Sequence, residues 1–154
     1  MSTPDPAKWT LPRIQVNRDG EWLHEGEEIT HAGILENLRR SLRRDDAGYF
    51  IQAGPVRIVV EVADAPFIAI RIEAEGQAFR LTLNDGTQEV LDPTTLRFGP
   101  GEVPYCRIKG GQFEARLSRA AAYQLGQILE YDERTGRTIL RAGGHAHRLD
   151  REVP

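Results

Sequence analysis

The chain has 154 residues, of which 40% are apolar and 28% charged, and this composition excludes disordered and fibrous proteins. No apolar run approaches the ~20 residues that span a bilayer, and the net charge of −3 gives no bulk attraction to nucleic acid or anionic lipid. We therefore expect no membrane association and disfavour nucleic acid as a partner. A single cysteine, Cys106, and an N-terminus unlike a signal peptide predict a cytoplasmic protein without an intrachain disulfide.

The first part of the chain predicts a lead-in followed by a hairpin. Residues 1–12 carry three prolines and no periodic pattern, so we expect a flexible lead-in. Residues 13–62 form the expected N-terminal subdomain of a hairpin, a helix and strands. Its hairpin turns at Asp19-Gly20, because glycine adopts a positive φ without steric cost.

A helix is predicted over residues 31–44, with Thr30 as its N-cap. The apolar side of this helix consists of Ile34, Leu35, Leu38 and Leu42. Its other side carries Arg39, Arg40, Arg43 and Arg44. We interpret these arginines as a solvated face, since Glu36 can pair with Arg40 one turn later. A phosphate-bearing partner is the alternative, because guanidinium groups offer forked donors.

The centre of the chain, residues 56–72, predicts two core strands that meet at a corner. Apolar residues alternate with a period of two in both runs, as expected for strands with one buried side. The apolar Val59 predicts that the first strand is covered on both faces. The corner is Asp64-Ala65-Pro66, where aspartate can bond the backbone two residues on and proline presets φ.

Residues 63–154 form the expected C-terminal subdomain, which is rich in strands and has one helix. Glycine-containing turn signals at residues 84–86, 110–111 and 143–144 separate pairs of predicted strands. Ser118 is the predicted N-cap of a helix over residues 119–131. The element order contains no βαβ alternation, so we predict an α+β fold of two small, mainly antiparallel β subdomains, roll- or barrel-like, with two helices.

Five segments, in this order, resemble the bacterial domain-of-unknown-function family 1285. They are DGEWLHEG, EVADAPF, LTLNDGTQEVLDPTTLRF, PYCRIKGGQFEARLSRAAAYQL and RAGGHAHRL. The chain departs from the family pattern at Ala63, where glutamate is usual, and at His145 and His147, where aromatic residues are usual. The resemblance implies two small, mainly β subdomains in tandem, the first bearing the early helix. It implies no activity.

Five residues are candidates for a ligand site: Asp64, Tyr105, Arg107, Ser118 and Arg119. Asp64 is either a turn former or a carboxylate in a cleft between the subdomains. Tyr105 is either a packed aromatic or a ligand platform. Arg119 follows the Ser118 cap at the positive end of a helix dipole, so we expect a nearby carboxylate or a bound anion. Arg107 and Arg116, on the preceding hairpin, are expected close by.

His145 and His147 are weak candidates for metal ligands, because alternate residues of a strand share one face. Glu152 follows as a third potential ligand. The favoured interpretation is a terminal strand with two exposed histidines, so we expect no cofactor.

No nucleophile motif or phosphate-binding loop is present, so no catalytic residue is assigned. We expect a ligand- or partner-binding module for a small molecule or a protein, with its site between the subdomains. An enzyme of unrecognised type, metal-assisted through His145 and His147, is the alternative, and a nucleic-acid-contacting accessory protein is another. Edge strands in both subdomains also allow a homo-oligomer.

Overall fold

A computed structural model describes the backbone of residues 11–151 and the side chains of residues 11–149. Most of the predicted lead-in, residues 1–10, lies outside the described residues, as does Glu152. The chain divides into two compact units, Met1–Ala65 and Pro66–Pro154.

Over residues 11–65, the described part of the first unit, there are six strands and one helix. In chain order they are β1 (Ile14–Val16), β2 (Trp22–His24), β3 (Glu27–Glu28), α1 (Ala32–Ser41), β4 (Leu42–Asp45), β5 (Gly48–Ala53) and β6 (Val56–Val62). The strands form one sheet in the order β3-β2-β1-β6-β5-β4. All neighbours are antiparallel except β1 and β6, which run parallel.

The predicted hairpin at Asp19-Gly20 is confirmed. Strands β1 and β2 pair with Ile14 opposite His24 and Val16 opposite Trp22, and Gly20 has the expected positive φ of 81°. A second hairpin, between β2 and β3, follows at Glu25 and Gly26, with φ of 50° and 82°. Two consecutive positive φ values are typical of the tight turn that matches strand twist.

Helix α1 begins one residue later than predicted. Its N-cap is His31 rather than Thr30, because Nδ1 of His31 accepts the N–H of Ile34 at 3.3 Å. The predicted apolar stripe also packs loosely, since no residue of α1 is buried and Ile34 is 49% exposed.

The same helix ends at Ser41, so the prediction that it continues to residue 44 is wrong. The next four residues form β4, which pairs with β5 so that Leu42 lies opposite Ile51. Asp45 accepts the N–H of Ala47 at 2.9 Å and thereby fixes the β4–β5 turn. Strand pairing outweighs helix propensity here, because it buries Leu42 against the sheet.

The core of the first unit is small. The buried side chains that lie on its strands are Ile14, Val16, Trp22, Leu42, Ile51 and Val60, and Ala65 is buried in the bend after β6. Val59 is 57% exposed, so the prediction that β6 is covered on both faces is wrong. The alternation of β6 has one buried side, as the period of two requires.

The second unit contains ten strands and one helix over the described residues. Its first strands are β7 (Phe67–Glu75), β8 (Ala78–Leu83), β9 (Gln88–Val90), β10 (Arg97–Phe98), β11 (Pro104–Ile108) and β12 (Phe113–Leu117). Helix α2 (Arg119–Ile128) follows, and then β13 (Glu130–Asp132), β14 (Arg137–Ala142), β15 (His145–Arg148) and β16 (Asp150–Arg151). Short 3-10 turns at Pro93–Thr95 and Pro100–Glu102 flank β10.

These strands form two sheets. The larger has the order β16-β10-β11-β12-β7-β8-β9, and the smaller has the order β13-β14-β15. The pairs β7–β12 and β10–β16 are parallel, and the others are antiparallel.

Helix α2 confirms the predicted cap and corrects the predicted end. Ser118 is its N-cap, and the helix stops at Ile128 instead of residue 131. The following residues form β13, in which Glu130 lies opposite Ile139. As with α1, pairing with a neighbouring strand ends the helix early.

A bulge interrupts the predicted face of β7. The register with β8 shifts between Ala69 and Arg71. Ile68 and Ile72 are buried, but Ile70 is 43% exposed, so the period of two that was predicted for the second run of residues 56–72 is interrupted. An extra residue in one strand reverses the alternation beyond it.

Two helices, two large sheets and a small third sheet make this an α+β fold with two β subdomains, as predicted. Over residues 11–151 none of the sheets closes into a barrel, because each has two terminal strands. Within that range no helix has the length and apolarity to cross a bilayer.

Candidate functional site

One face of the larger sheet in the second unit carries charged residues around a tyrosine. Arg97 of β10 lies opposite Tyr105 of β11, and Tyr105 lies opposite Arg116 of β12. Two residues along, Arg107 lies opposite Glu114. Directly opposed residues and alternate residues of a strand share a face. We call these five residues, three arginines, a tyrosine and a glutamate, the arginine–tyrosine face. At its margin Asp150 of β16 lies opposite Arg97.

The arginine–tyrosine face is ordered by contacts within it. Arg97 forms an ion pair with Glu114, and both side chains are about one-third exposed. The guanidinium carbon of Arg97 lies 4.6 Å from the centroid of the Tyr105 ring, which is the geometry of a cation–π contact. Tyr105 itself is 6% exposed. The tyrosine therefore packs beneath the arginine and fixes its position.

Gly99 allows the Tyr105 ring to lie against the backbone. A Cβ atom added at Gly99 would lie 2.7 Å from Cε2 and 3.2 Å from Cδ2 of Tyr105. The φ of Gly99 is −88°, which any residue can adopt, so the requirement for glycine here is one of space. The loop before β11 is thus shaped to the tyrosine ring.

The opposite face of these strands is apolar core. Cys106, Ile108, Phe113, Ala115 and Leu117 are all buried there. Burial, and to a smaller extent the negative charges of Glu89 and Glu114, raise the pKa of the Cys106 thiol to about 12. A thiol with that pKa remains protonated at neutral pH and is a poor nucleophile.

Ser118 is used by the fold at the start of α2. Its Oγ accepts the N–H of Ala121 at 3.1 Å and donates to the carbonyl of Ile70 at 3.4 Å. The backbone N–H of Ser118 also donates to the carbonyl of Ala69 at 2.9 Å. These hydrogen bonds join the start of α2 to β7, directly after the last residue of β12.

Arg119 is exposed, and no acidic residue lies in the first turn of α2. Among residues 11–149 no carboxylate forms an ion pair with it, so the nearby acid that was one expectation is not seen there. Arg107 is not its neighbour: Glu114, opposite Arg107, precedes Ser118 by four residues, or ~13 Å of strand. Arg107 instead donates from Nη1 to the carbonyl of Gly111 at 3.3 Å.

The five predicted site residues therefore fall into three groups. Tyr105 and Arg107 lie on the arginine–tyrosine face, and Ser118 and Arg119 lie at the start of α2. Asp64 belongs to the first unit, where it is half-buried in the bend after β6.

Sequence reasoning missed Arg97 and Glu114. Glu114 was hidden in an alternating strand, where a charged residue is expected to be solvated. Arg97 lies on a strand of two residues between 3-10 turns, and its pairing with β11 spans a loop with no turn motif. No local signal in the sequence identifies this pairing.

His145 and His147 lie side by side on β15, as predicted, with ring centroids 6.4 Å apart. Two imidazoles bound to one tetrahedral metal at ~2.1 Å have centroids about 5 Å apart, so one ring would have to rotate. In the part of the chain that is described, no three His, Cys, Asp or Glu residues are grouped to hold a metal ion. The pair stays a prediction without an identified third ligand.

The predicted arginine face of the first helix is split between two elements. Arg39 and Arg40 lie on α1, whereas Arg43 and Arg44 lie on β4. Arg40 pairs with Glu36 at 2.6 Å, as the spacing of four predicted. The four arginines do not form one helical surface, and this removes the pattern on which the nucleic-acid alternative depended.

Solved structures with this fold are already known. A DUF1285 family protein from Silicibacter pomeroyi DSS-3 superposes with a TM-score of 0.76 at 22% identity, covering 96% of this chain and 89% of that one. Another DUF1285 family protein, from Shewanella baltica OS155, gives a TM-score of 0.64 at 21% identity, covering 75% of this chain and 91% of that one. The predicted resemblance to domain-of-unknown-function family 1285 is confirmed in the fold.

The sequence itself matches a family model over residues 6–103. The model is DUF2944, described as "Protein of unknown function (DUF2946)", and it covers more than half of the chain. The chain belongs to this family. No protein of curated function matches the sequence.

Proposed function

We propose that this protein is a binding module that recognises a small anionic ligand, carrying a carboxylate or a phosphate, at the arginine–tyrosine face. The observation that carries the proposal is the grouping of three arginines, Arg97, Arg107 and Arg116, around Tyr105 on one face of the sheet. Guanidinium groups close together on one surface attract anions locally, even on a protein of net charge −3.

The arrangement of Arg97 supports binding at this face. Its guanidinium is held between Glu114 and the Tyr105 ring, so little side-chain freedom remains to be lost when a ligand binds. Arg107 is exposed beside it and can reach an incoming anion. Arginine suits this role because its planar fork matches carboxylate and phosphate groups.

The burial of the Cys106 thiol and the hydrogen bonding of the Ser118 hydroxyl favour binding over catalysis by a nucleophile. The Cys106 thiol is buried with a pKa of about 12, and the Ser118 hydroxyl is engaged as a helix cap. The single buried cysteine also suits a reducing cytoplasm, which we propose as the location.

Calorimetric titration with inorganic phosphate and with malonate tests the proposal. We expect saturable binding that Arg107→Gln weakens by about tenfold, since a hydrogen bond to a charged group contributes ~1.5–3 kcal/mol. Arg107 is the residue to change because Arg97 also supports Tyr105.

Arg134→Gln is the matched control, because Arg134 is an exposed arginine in the turn between β13 and β14. It should bind both anions like the wild type. Equal loss in the two variants would indicate general electrostatic attraction, and no saturable binding by the wild type would exclude the proposal.

A further inference from the structure

The six-stranded sheet of the first unit ends in strands of opposite charge. One terminal strand, β3, consists of Glu27 and Glu28, and both are exposed. The other terminal strand, β4, carries Arg43 and Arg44, and both are exposed. A terminal strand presents N–H and C=O groups that can pair with a further strand. Each of these edge strands therefore combines backbone donors and acceptors with side chains of one charge. We call β3 the acidic edge and β4 the basic edge.

The acidic edge is crowded with carboxyl groups. The pKa of Glu28 is raised by its hydrogen bond with the Glu21 carboxyl and by the negative charge of that group. Glu21 is held in place by the side chain of Asn17, whose Nδ2 donates to it at 3.0 Å. A cation approaching this edge would relieve the repulsion between the two carboxyl groups.

Two arginines of the basic edge, Arg43 and Arg44, carry positive charge that is available to a partner. Arg40 and Arg57, which lie nearby, form ion pairs with Glu36 and Asp45. Arg43 and Arg44 form no ion pair with any carboxylate of residues 11–149. Their positive charge is thus available to a partner that brings its own carboxylates.

We propose that the basic edge strand β4 of one copy docks on the acidic edge strand β3 of a second copy and extends the sheet. Charge selects this combination, because β3 against β3 or β4 against β4 would set like charges opposite one another. The contact joins two different surfaces, so each pair of copies keeps one free edge of each kind and can grow into a chain or a ring. Since β3 has only two residues, the association is weak and depends on salt.

Sedimentation or light scattering across protein concentration tests this docking at two ionic strengths. The Debye length is ~30 Å at 0.01 M salt and ~8 Å at 0.15 M, so the association seen in the wild type should weaken at the higher salt. The variants R43E/R44E and E27R/E28R should each lose association by at least about tenfold, because one edge then meets its partner with like charge.

The decisive sample is an equimolar mixture of R43E/R44E and E27R/E28R. One variant has two acidic edges and the other two basic edges, so the mixture should regain association while each variant alone does not. Regained association also demonstrates that both variants are folded. The control R134E/R137E makes the same charge change as R43E/R44E on exposed residues of the second unit. Because both of its edge strands are unchanged, it should associate like the wild type.

Two results would overturn the proposal. One is a wild type that stays monomeric at every concentration in low salt. The other is a mixture of the edge variants that remains as monomeric as its components. Because both edges belong to the first unit, either result leaves the anion-binding proposal for the second unit unaffected.

Discussion

Lys109 and Asp85 tie two turns of the second unit together. The ammonium of Lys109 lies 3.0 Å from Oδ2 of Asp85, whose side chain is only 11% exposed. The Lys109 N–H donates to both oxygens of Glu89 at 3.1 Å. Lys109 also has a φ of 53°, a left-handed conformation that side chains adopt at a cost of ~1 kcal/mol or more. The surrounding bonds offset that cost.

The Asp85 carboxylate should stabilise the fold in a pH-dependent way. Burial raises its pKa, but bonds from the Thr87 hydroxyl and N–H and from Lys109 outweigh burial and lower it. A lowered pKa means that the stabilisation is present above the ordinary value of ~3.9 and is lost as pH falls through the lower folded value. We expect Asp85→Asn to cost about 1–2 kcal/mol at pH 7.

Urea unfolding at pH 7 and pH 3 measures this effect. The difference in unfolding free energy between wild type and Asp85→Asn should be smaller at pH 3, because this pH lies below the ordinary carboxyl pKa and protonation then stabilises the unfolded state. Asp46→Asn, at an exposed turn position, is the control and should change stability by less than ~0.5 kcal/mol. A difference that is the same at both pH values would contradict the assignment.

Gly99 should be required for the packing of Tyr105. Gly99→Ala places a Cβ 2.7 Å from the Tyr105 ring and 3.7 Å from Nη1 of Arg97, so we expect a loss of about 1–3 kcal/mol. Gly126→Ala is the control, because open space surrounds that exposed helical position, and it should stabilise by ~0.5–1 kcal/mol.

A double-mutant cycle with Tyr105→Ala separates the clash at Gly99 from any general intolerance of alanine. Without the ring, Gly99→Ala should cost less than ~0.5 kcal/mol, so the two changes should not be additive. Additive losses in thermal or urea unfolding would show that the ring is not what restricts position 99.

At the scale of elements, Ser118 secures helix α2 to the larger sheet. Ser118→Ala removes the acceptor for the Ala121 N–H and the donor to the Ile70 carbonyl, so we expect a loss of about 1–2 kcal/mol in urea unfolding. Ser118→Thr keeps the hydroxyl and should recover most of this stability. Ser41→Ala, near the end of α1, serves as control; a similar loss there would argue against a specific capping role.

Elements with a local signal were predictable from the sequence, and those set by distant pairing were not. Asp19-Gly20 and Ser118 carry their turn and cap chemistry in their own side chains or backbone freedom. The early helix ends, at Ser41 and at Ile128, depend on strands that pair with the following residues. Helix periodicity cannot reveal such competition, because the partner strand lies elsewhere in the sequence.

The candidate site also combines residues that a local sequence signal identifies with residues that only distant strand pairing brings together. Tyr105 and Arg107 were identifiable because they share one face of a hairpin strand with a clear turn signal. Arg97 joins them only through pairing across the loop between β10 and β11, and Ile70 leaves its expected face through a bulge in β7. Both depend on register, which the alternating pattern of a single strand does not encode.

For the molecule as a whole, the distribution of charge is more informative than its sum. The net charge of −3 predicts weak attraction to anions, yet the arginine–tyrosine face holds three arginines and one glutamate. The terminal strands of the first unit likewise carry opposite charges. Local fields of this kind steer ligands and partners over about a Debye length, so both proposed interactions should weaken with added salt.

Amide chemical-shift mapping during a titration with malonate tests the anion-binding face most directly. The proposal predicts saturable shifts at residue 97 and in residues 105–107 and 114–116, with the same apparent affinity at each position. Arg107→Gln should reduce that affinity at every one of them. Saturable shifts confined to the start of α2 or to β4, or no saturable shifts at all, would contradict the assignment of the ligand to the arginine–tyrosine face.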